Sequence, residues 1–315
     1  MFEHNSLLKG RVTEEQKNYF VVSTPQSELR CVTKGTLKKR KTRIFTGDRV
    51  QVQVLNHDSM EGVICEVEER KNFLPRPPLA NLSQVVFINS FKHPRLDCEA
   101  IDRFLFSSAA YGIDAIIVFN KTDLLSVREL NELEVIENSY KNTGYKTMRT
   151  SAAKRYGVDE LLNICKNKTS AFTGLSGVGK STLLSIVFPD REFRTSEVSG
   201  THGRGTHTTT HIKLLPLDKN SFLADTPGFA FVDVPVVPPE SVASYFPEIE
   251  RVTGKCRFNN CIHDAEPGCR VRELIEENEI ASWRHEHYLK LYYEMAEWRK
   301  KNRASELGTQ NLERK

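Results

Sequence analysis

The nine residues Gly174 to Thr182, GLSGVGKST, restrict the fold of this chain more than any other segment. They satisfy the pattern G-x-x-x-x-G-K-[ST] and follow the apolar run Ala171-Phe172-Thr173. The pattern predicts a strand, then a glycine-rich turn whose N–H groups point inward at phosphate oxygens, then a helix starting near Lys180. The positive N-terminal end of that helix adds to the anion site. In this reading Gly174, Leu175, Ser176, Gly177, Val178 and Gly179 form the cradle, and Lys180 reaches the terminal phosphates. Ser181 holds Mg²⁺, and Thr182 completes the motif.

The surrounding sequence has the texture such a strand needs. Gln84 to Asn89 reads as a buried strand, Leu96 to Tyr111 as an amphipathic helix and Ile113 to Phe119 as a second strand. A charged helix from about Val127 to Asn142, a strand at Tyr145 to Thr150 and a helix at Val158 to Cys165 follow. Alternating strands and helices imply a parallel sheet covered on both faces, with ligands at the C-terminal ends of its strands. Directly after Ile113 to Phe119 stands Asn120-Lys121-Thr122-Asp123. The Asp123 carboxylate can accept both N1–H and the 2-amino group of guanine; adenine offers neither donor and would leave a buried acid unpaired. Asn120 is expected near O6 and as a tie to the phosphate loop, with the Lys121 stem along the base. At the next strand end, the N–H groups of Ser151 and Ala152 in Thr150-Ser151-Ala152 fit a loop that supports the base oxygen.

Downstream, Gly203 to Thr210 (GRGTHTTT) occupies the place of a first nucleotide-sensing switch. A threonine there, any of Thr208, Thr209 and Thr210, can join the Mg²⁺ shell when a γ-phosphate is present. The strand Ser221 to Ala224 leads into Asp225-Thr226-Pro227-Gly228, with Asp225 placed to hold Mg²⁺ and the Gly228 N–H to meet the γ-phosphate. The motifs therefore run base loop, base-support loop, phosphate loop, first switch, second switch. This is a circular permutation of the usual order, feasible where the termini of such a domain lie close together.

The two ends carry different chemistry. From Leu7 to about Arg70, five short β-type runs without helical periodicity suggest a small barrel of the OB type. Between the third and fourth runs, Arg30 to Arg43 has basic residues and no acid, and Lys34, Lys38, Lys39, Arg40, Lys41 and Arg43 become candidate RNA-phosphate contacts. The proline-dense stretch Asn72 to Asn81 reads as the linker that ends this domain. Beyond the second switch, KCRFNNCIHDAEPGCR offers three thiolates and an imidazole in Cys256, Cys261, His263 and Cys269, a set suited to a closed, structural tetrahedral zinc site. Val271 to Arg303 is helical in composition; Trp283, Leu291, Met295 and Trp298 are expected to pack, and GTQNLERK to be a disordered tail. The expected organisation is multi-domain α/β: an OB-fold RNA-binding domain at 1–76, a circularly permuted P-loop GTPase domain at 77–234 and a zinc-binding helical domain at 235–315. No apolar run approaches the roughly 20 residues that cross a bilayer, and no signal-like start is present, so a cytoplasmic, membrane-free protein is expected. Seven cysteines, three of them crowded into one stretch, fit metal binding in a reducing compartment better than a disulfide framework.

The ordered set of barrel, permuted motifs and C-x₄-C-x-H-x₅-C module closely resembles the circularly permuted, ribosome small-subunit-dependent GTPase A family, over nearly the whole chain. The resemblance implies low intrinsic GTP hydrolysis stimulated by the small ribosomal subunit, in that subunit's late maturation, and binding to its rRNA near the decoding region. Mg²⁺ and Zn²⁺ are the cofactors expected from these motifs, and the chain is expected to act as a monomer. Ras-like GTPases place a glutamine after the second-switch glycine to orient water. Here that residue is Phe229, so another group must do so, and His207 of the first switch is the candidate because the family is similarly thought to use its switch histidine. The competing reading is a GTP-sensing RNA-binding module in which hydrolysis is incidental; turnover that does not rise with small subunits would favour it.

Overall fold

A computed structural model describes residues 7–56, 58–191, 193, 212–225 and 234–312. Five strands open the chain: β1 (Leu7–Glu15), β2 (Phe20–Ser23), β3 (Glu28–Thr33), then, after helix α1 (Gly35–Lys39), β4 (Arg49–Asn56) and β5 (Glu61–Val67). They pair in the order β1-β2-β3-β5-β4, and β4 pairs back on β1, so the sheet closes into the expected OB-like barrel. Alternation along these strands turns Val12, Val22, Leu29, Cys31, Val50, Val52 and Ile64 inward to form the core. The basic stretch between β3 and β4 is not an irregular loop. Helix α1 drives Leu37 into the barrel core, which is worth roughly 2 kcal/mol of apolar burial, while Lys38 and Lys39 face solvent.

The proline-dense stretch expected as a linker is a hairpin, β6 (Phe73–Pro75) with β7 (Pro78–Ala80), paired as a small sheet of its own. Prolines at its strand ends are compatible with so short a ladder. Asp48, fully buried, accepts the Phe45 N–H (2.8 Å) and both Nε (2.7 Å) and Nη2 (2.9 Å) of Arg70, whose guanidinium lies over Phe45 and Phe73 and so pins the barrel to this hairpin.

The chain continues through β8 (Gln84–Ser90), α2 (Cys98–Ala110), β9 (Asp114–Asn120), α3 (Val127–Asn142), β10 (Lys146–Arg149), α4 (Val158–Ile164), β11 (Thr169–Thr173), α5 (Lys180–Val187), β12 (Lys213–Pro216) and β13 (Phe222–Asp225). Ser126 starts α3 with a reciprocal capping box to Glu129. The sheet runs β10-β9-β8-β11-β13-β12, with parallel ladders from β9 to β13 and β12 antiparallel at the end. It does not stop at β12: Glu14 of β1 pairs with Lys213, in the backbone register and as a 2.6 Å ion pair, so barrel and parallel sheet form one eleven-stranded sheet. Val86, Ile88, Ile116, Val118 and Phe172 pack against Leu161 and Leu183, and this core holds α4 and α5 on the sheet.

Among the described residues the remaining α-helices are α6 (Pro247–Glu250), α7 (Arg270–Glu276) and α8 (Ser282–Leu312). The expected disordered tail is instead helical through Leu312, because elongating an already nucleated helix costs little. By contact density the chain divides into two units. One comprises residues 1–94, 111–124 and 148–231; the other comprises 95–110, 125–147 and 232–315 and so gathers α2 and α3 with the C-terminal helices. In the second unit Leu291 and Met295 are buried with Val242, Phe246 and Tyr288. Trp283 packs on Tyr140 with ring centroids 5.4 Å apart, but Trp298, expected to pack, is 48% exposed.

Candidate functional site

In the first unit, the ends of β8, β9, β10 and β11 bring the sequence-predicted loops together. Between β11 and α5 the chain turns through Gly174 (φ +144°), Gly177 (+81°) and Gly179 (+98°), conformations that side chains resist. Two of these glycines are also required by space. A Cβ on Gly174 would stand 2.0 Å from the Ile88 carbonyl oxygen, and one on Gly179 would stand 2.4 Å from Asn120 Nδ2.

Asn120, at the buried end of β9, joins three loops. Its Nδ2 donates to the Val178 carbonyl (2.9 Å), and its Oδ1 accepts from Thr150 Oγ1 (3.0 Å) and the Ala152 N–H (3.2 Å). The expected tie to the phosphate loop is present. A base oxygen could accept only from the second Nδ2 hydrogen, since Oδ1 is an acceptor and is occupied by the 150–152 loop. Thr122 fixes the same junction, donating through its N–H (3.2 Å) and Oγ1 (3.0 Å) to the Thr150 carbonyl. Lys121, at φ +63°, sends its ammonium to the carbonyls of Gly177 (2.5 Å) and His93 (3.0 Å), so its stem spans the opening between the two loops. Asp123 is exposed, and the Ser151 hydroxyl donates to its Oδ1 at 2.5 Å. One carboxylate is thereby held at the mouth with acceptor capacity directed outward, the arrangement that two adjacent N–H donors of a purine require.

Lys180 donates to the carbonyls of Gly174 (2.6 Å) and Leu175 (3.0 Å), and burial lowers its pKa. Two neutral carbonyls compensate a partly desolvated ammonium poorly. A phosphate oxygen would form a charge-assisted bond in their place. His207, Thr208, Thr209, Thr210 and Gly228, and the side chain of Asp225, lie outside the described residues.

The second unit holds the cysteine cluster. His263 Nδ1 lies 3.5 Å from Cys256 Sγ, 3.6 Å from Cys261 Sγ and 3.5 Å from Cys269 Sγ, and all four donor atoms are within 4.8 Å of one another. Zn–S bonds of about 2.3 Å and a Zn–N bond of about 2.0 Å at tetrahedral angles give an N···S edge of about 3.5 Å, which the three N···S separations match. Burial pushes the Cys261 thiol up to about 12 and the His263 imidazole down; a divalent ion would displace the thiol protons. The cage is braced by the Arg270 N–H to Cys256 Sγ (3.4 Å), His285 Nε2 against the His263 carbonyl (2.5 Å) and Tyr288 Oη to the Ile262 carbonyl (2.9 Å).

Sequence reasoning missed a buried charge cluster in the same unit. Arg284, 1% exposed, pairs with Asp102 of α2 through Nη1 and with Glu248 of α6 through Nε (2.6 Å), while His287 Nδ1 meets Asp102 Oδ2 at 2.6 Å. Burial alone would depress Arg284, but the Asp102 and Glu248 carboxylates more than offset it and hold the guanidinium above its ordinary range. The one sequence signal was Asp102 itself, an acid inside the apolar run Ala100-Ile101-Asp102-Arg103-Phe104-Leu105.

The sequence profile of the RsgA GTPase family matches residues 67–235, which include the base loop, the phosphate loop and both switch segments. The chain belongs to that family. A small ribosomal subunit biogenesis GTPase RsgA of Moorella thermoacetica is 37% identical over 90% of this chain and 95% of its own length. That of Carboxydothermus hydrogenoformans is 39% identical over 90% and 96%. Among solved structures, YjeQ from Thermotoga maritima superposes with a TM-score of 0.80 at 33% identity, covering 92% of this chain and 99% of that one. YloQ, described as a circularly permuted GTPase, superposes equally well at 28% identity over 94% and 98%. The RsgA family membership accounts for the permuted motif order. Among the described residues no helix is long and apolar enough to cross a membrane.

Proposed function

We propose that the chain is a GTPase of small ribosomal subunit biogenesis, hydrolysing GTP to GDP and phosphate, with turnover stimulated by the subunit whose rRNA it binds. The observation that carries this reading is the Asn120 junction, which locks the 120–123 loop, the 150–152 loop and the phosphate loop into one mouth. Asp123, oriented by Ser151, selects guanine. Lys121 bounds one side of the base, and the loop of Ser151 and Ala152 supports its oxygen once their N–H groups exchange their present acceptors, the Tyr156 carbonyl (3.0 Å) and Asn120 Oδ1 (3.2 Å). Gly174 to Thr182 cradles the phosphates, and Lys180 exchanges its two carbonyl partners for β- and γ-phosphate oxygens. Mg²⁺ in this reading is held by Ser181, Asp225 and a switch threonine such as Thr209, and supplies charge neutralisation on the leaving phosphates. The Gly228 N–H senses the γ-phosphate, and His207 orients the attacking water in place of the glutamine that Phe229 replaces. Zinc at Cys256, Cys261, His263 and Cys269 is structural, since four protein donors leave no open position. The modules at 1–76, 77–234 and 235–315 act as RNA-binding barrel, GTPase and zinc-braced helical domain, the barrel gripping RNA in part through Lys34, Lys38, Lys39, Arg40, Lys41 and Arg43.

The test is hydrolysis of GTP and ATP with and without purified small subunits, on the wild type, Lys180→Ala and His207→Ala. Stimulated, GTP-selective turnover that Lys180→Ala abolishes supports the reading, and His207→Ala should lower stimulated turnover while leaving GTP affinity intact. Turnover indifferent to small subunits would leave a GTP-sensing RNA-binding module instead.

A further inference from the structure

The candidate RNA contacts read from the sequence form a continuous run. A second basic cluster is assembled only by folding. In the first unit, the barrel strands β1 and β4 and the turn between β12 and β13 enclose an open cleft of about 270 Å³ lined by Lys9, Arg11, Arg49 and Lys219 together with Glu68 and Phe222. Arg11 and Arg49 are direct cross-strand partners, a like-charge pairing that is unfavourable unless something else compensates it. Among the described residues, no carboxylate forms an ion pair with any of the four cations.

Arg11 is held in position. Its guanidinium donates to Thr169 Oγ1 and lies 5.2 Å from the centroid of the Phe222 ring, so it cannot swing into solvent to escape Arg49. Burial and the Arg49 charge push its pKa down to about 10, and among the described residues no carboxylate pairs with it to offset that cost. Lys219 is exposed at the tip of a turn whose shape is set by Asp218, which accepts the N–H groups of Asn220 and Ser221 at 2.8 Å each. The Lys219 side chain is therefore free of any role in the turn.

The geometry points to this cleft as a binding site for the phosphodiester backbone of RNA, seated where the barrel joins the parallel sheet and separate from the 34–43 segment. Several cations converge on a cleft open along its length, with a single acid at its wall. This suits a repeating anion better than an enclosed metabolite, for which pockets of roughly 300–1,000 Å³ are usual. The assignment rests on the RNA-binding reading proposed above and adds a consequence to it. Lys219 stands in the chain between the two switch segments, and Lys9 and Arg49 belong to the barrel, so one RNA strand in the cleft would bridge the barrel and the strands that follow and precede the switches.

The experiment measures binding of full-length protein to purified small subunits over a range of salt concentrations, for the wild type, Lys9→Gln/Arg49→Gln/Lys219→Gln and, as comparator, Lys38→Gln/Lys39→Gln. Each phosphate contact removed should lower the slope of log K against log salt by roughly 0.7 to 0.9. The triple variant should therefore lose about 2 to 3 from the slope, additively with the comparator, while intrinsic GTP affinity stays unchanged. If Arg49→Gln lowers GTP affinity and so signals damage to the fold, the exposed pair Lys9→Gln/Lys219→Gln carries the test, with a loss of about 1.5. Lys219→Arg should retain wild-type binding. A wild type that binds with a steep slope and a variant that matches it would overturn the cleft alone. A wild type without salt-sensitive binding would overturn both the cleft and the RNA-binding reading. Thermal protection by inorganic phosphate that the variant loses, with unchanged subunit binding, would mark a free-anion site and also overturn the assignment.

Discussion

The buried Arg284 cluster predicts a stability pattern that ordinary packing would not produce. Replacing Arg284 with methionine keeps the apolar length of the side chain but strands two carboxylates, Asp102 and Glu248, each about 1% exposed. Removing one partner from a buried ion pair costs about 3 to 5 kcal/mol. The guanidinium also lies 5.2 to 5.5 Å from the ring centroids of Phe246, Tyr140 and Tyr145, contacts that belong to the same loss. Yet the cluster is imperfect: Glu248 Oε2 has no hydrogen-bond partner among the described residues. The intact set should therefore contribute much less than its disruption costs. Neutralising all three members, Arg284→Met/Asp102→Asn/Glu248→Gln, should cost no more than about 1 to 2 kcal/mol, a non-additivity of several kcal/mol among contacting groups. The chain's two tryptophans, Trp283 and Trp298, both lie on α8, so tryptophan fluorescence during urea unfolding reports this unit selectively. With an m-value of roughly 1–3 kcal/mol/M, the single variant should unfold about 2 M earlier in urea, and the triple variant close to wild type. A single variant within 1 kcal/mol of wild type, or a triple variant as unstable as the single, would refute the argument.

Three further outcomes follow from the nucleotide mouth and the cysteine cage. Gly179→Ala places a methyl at φ +98° against Asn120 Nδ2, 2.4 Å away, and should cost about 2 to 5 kcal/mol between backbone strain and loss of the Asn120–Val178 bond; calorimetry of the nucleotide-free protein and GTP titration both read it. Asp123→Ala should lower GTP affinity by about 100-fold or more, and Ser151→Ala by about 10-fold through loss of one charge-assisted bond, with ATP binding unaffected in competition assays. Metal analysis of purified protein should find one zinc per chain, lost in Cys261→Ser or on chelation. Trypsin should then cut faster at Arg257, between the first two ligands; unchanged protection after metal loss would deny the zinc a structural role.

Legibility from sequence depended on whether a function is written in contiguous residues. The phosphate loop and the 120–123 loop are short runs in which spacing dictates geometry, and the structure assembles them as one mouth. The OB-like barrel was legible from strand alternation, but α1 was not: five residues are too few for a helical period, and Leu37 acts only because the barrel interior lies beneath it. The Asn120 side chain was half legible. Its tie to Val178 follows from motif chemistry, whereas the acceptor role of its Oδ1 toward Thr150 and Ala152 depends on how closely β9 approaches the next loop.

The least legible features are those whose members are scattered, and they share one physical character. Arg284 with Asp102 and Glu248, and Arg11 with Arg49 and Lys219, are each unremarkable at their own positions, since an isolated charge on a helix or strand usually means a solvated face. Their meaning arises from distance in space. In the first set opposite charges meet where water is excluded, so the fold consumes them. In the second, like charges meet in an open cleft where, among the described residues, no carboxylate forms an ion pair with them. The difference between a neutralised and an unneutralised cluster is what separates a structural lock from a binding surface in this chain. It predicts opposite responses to the same perturbation: removing charge at Arg49 and Lys219 should relieve repulsion and leave the free protein as stable or slightly more so, with the loss appearing only when RNA is present, whereas removing Arg284 should destabilise its unit whether or not any partner is bound.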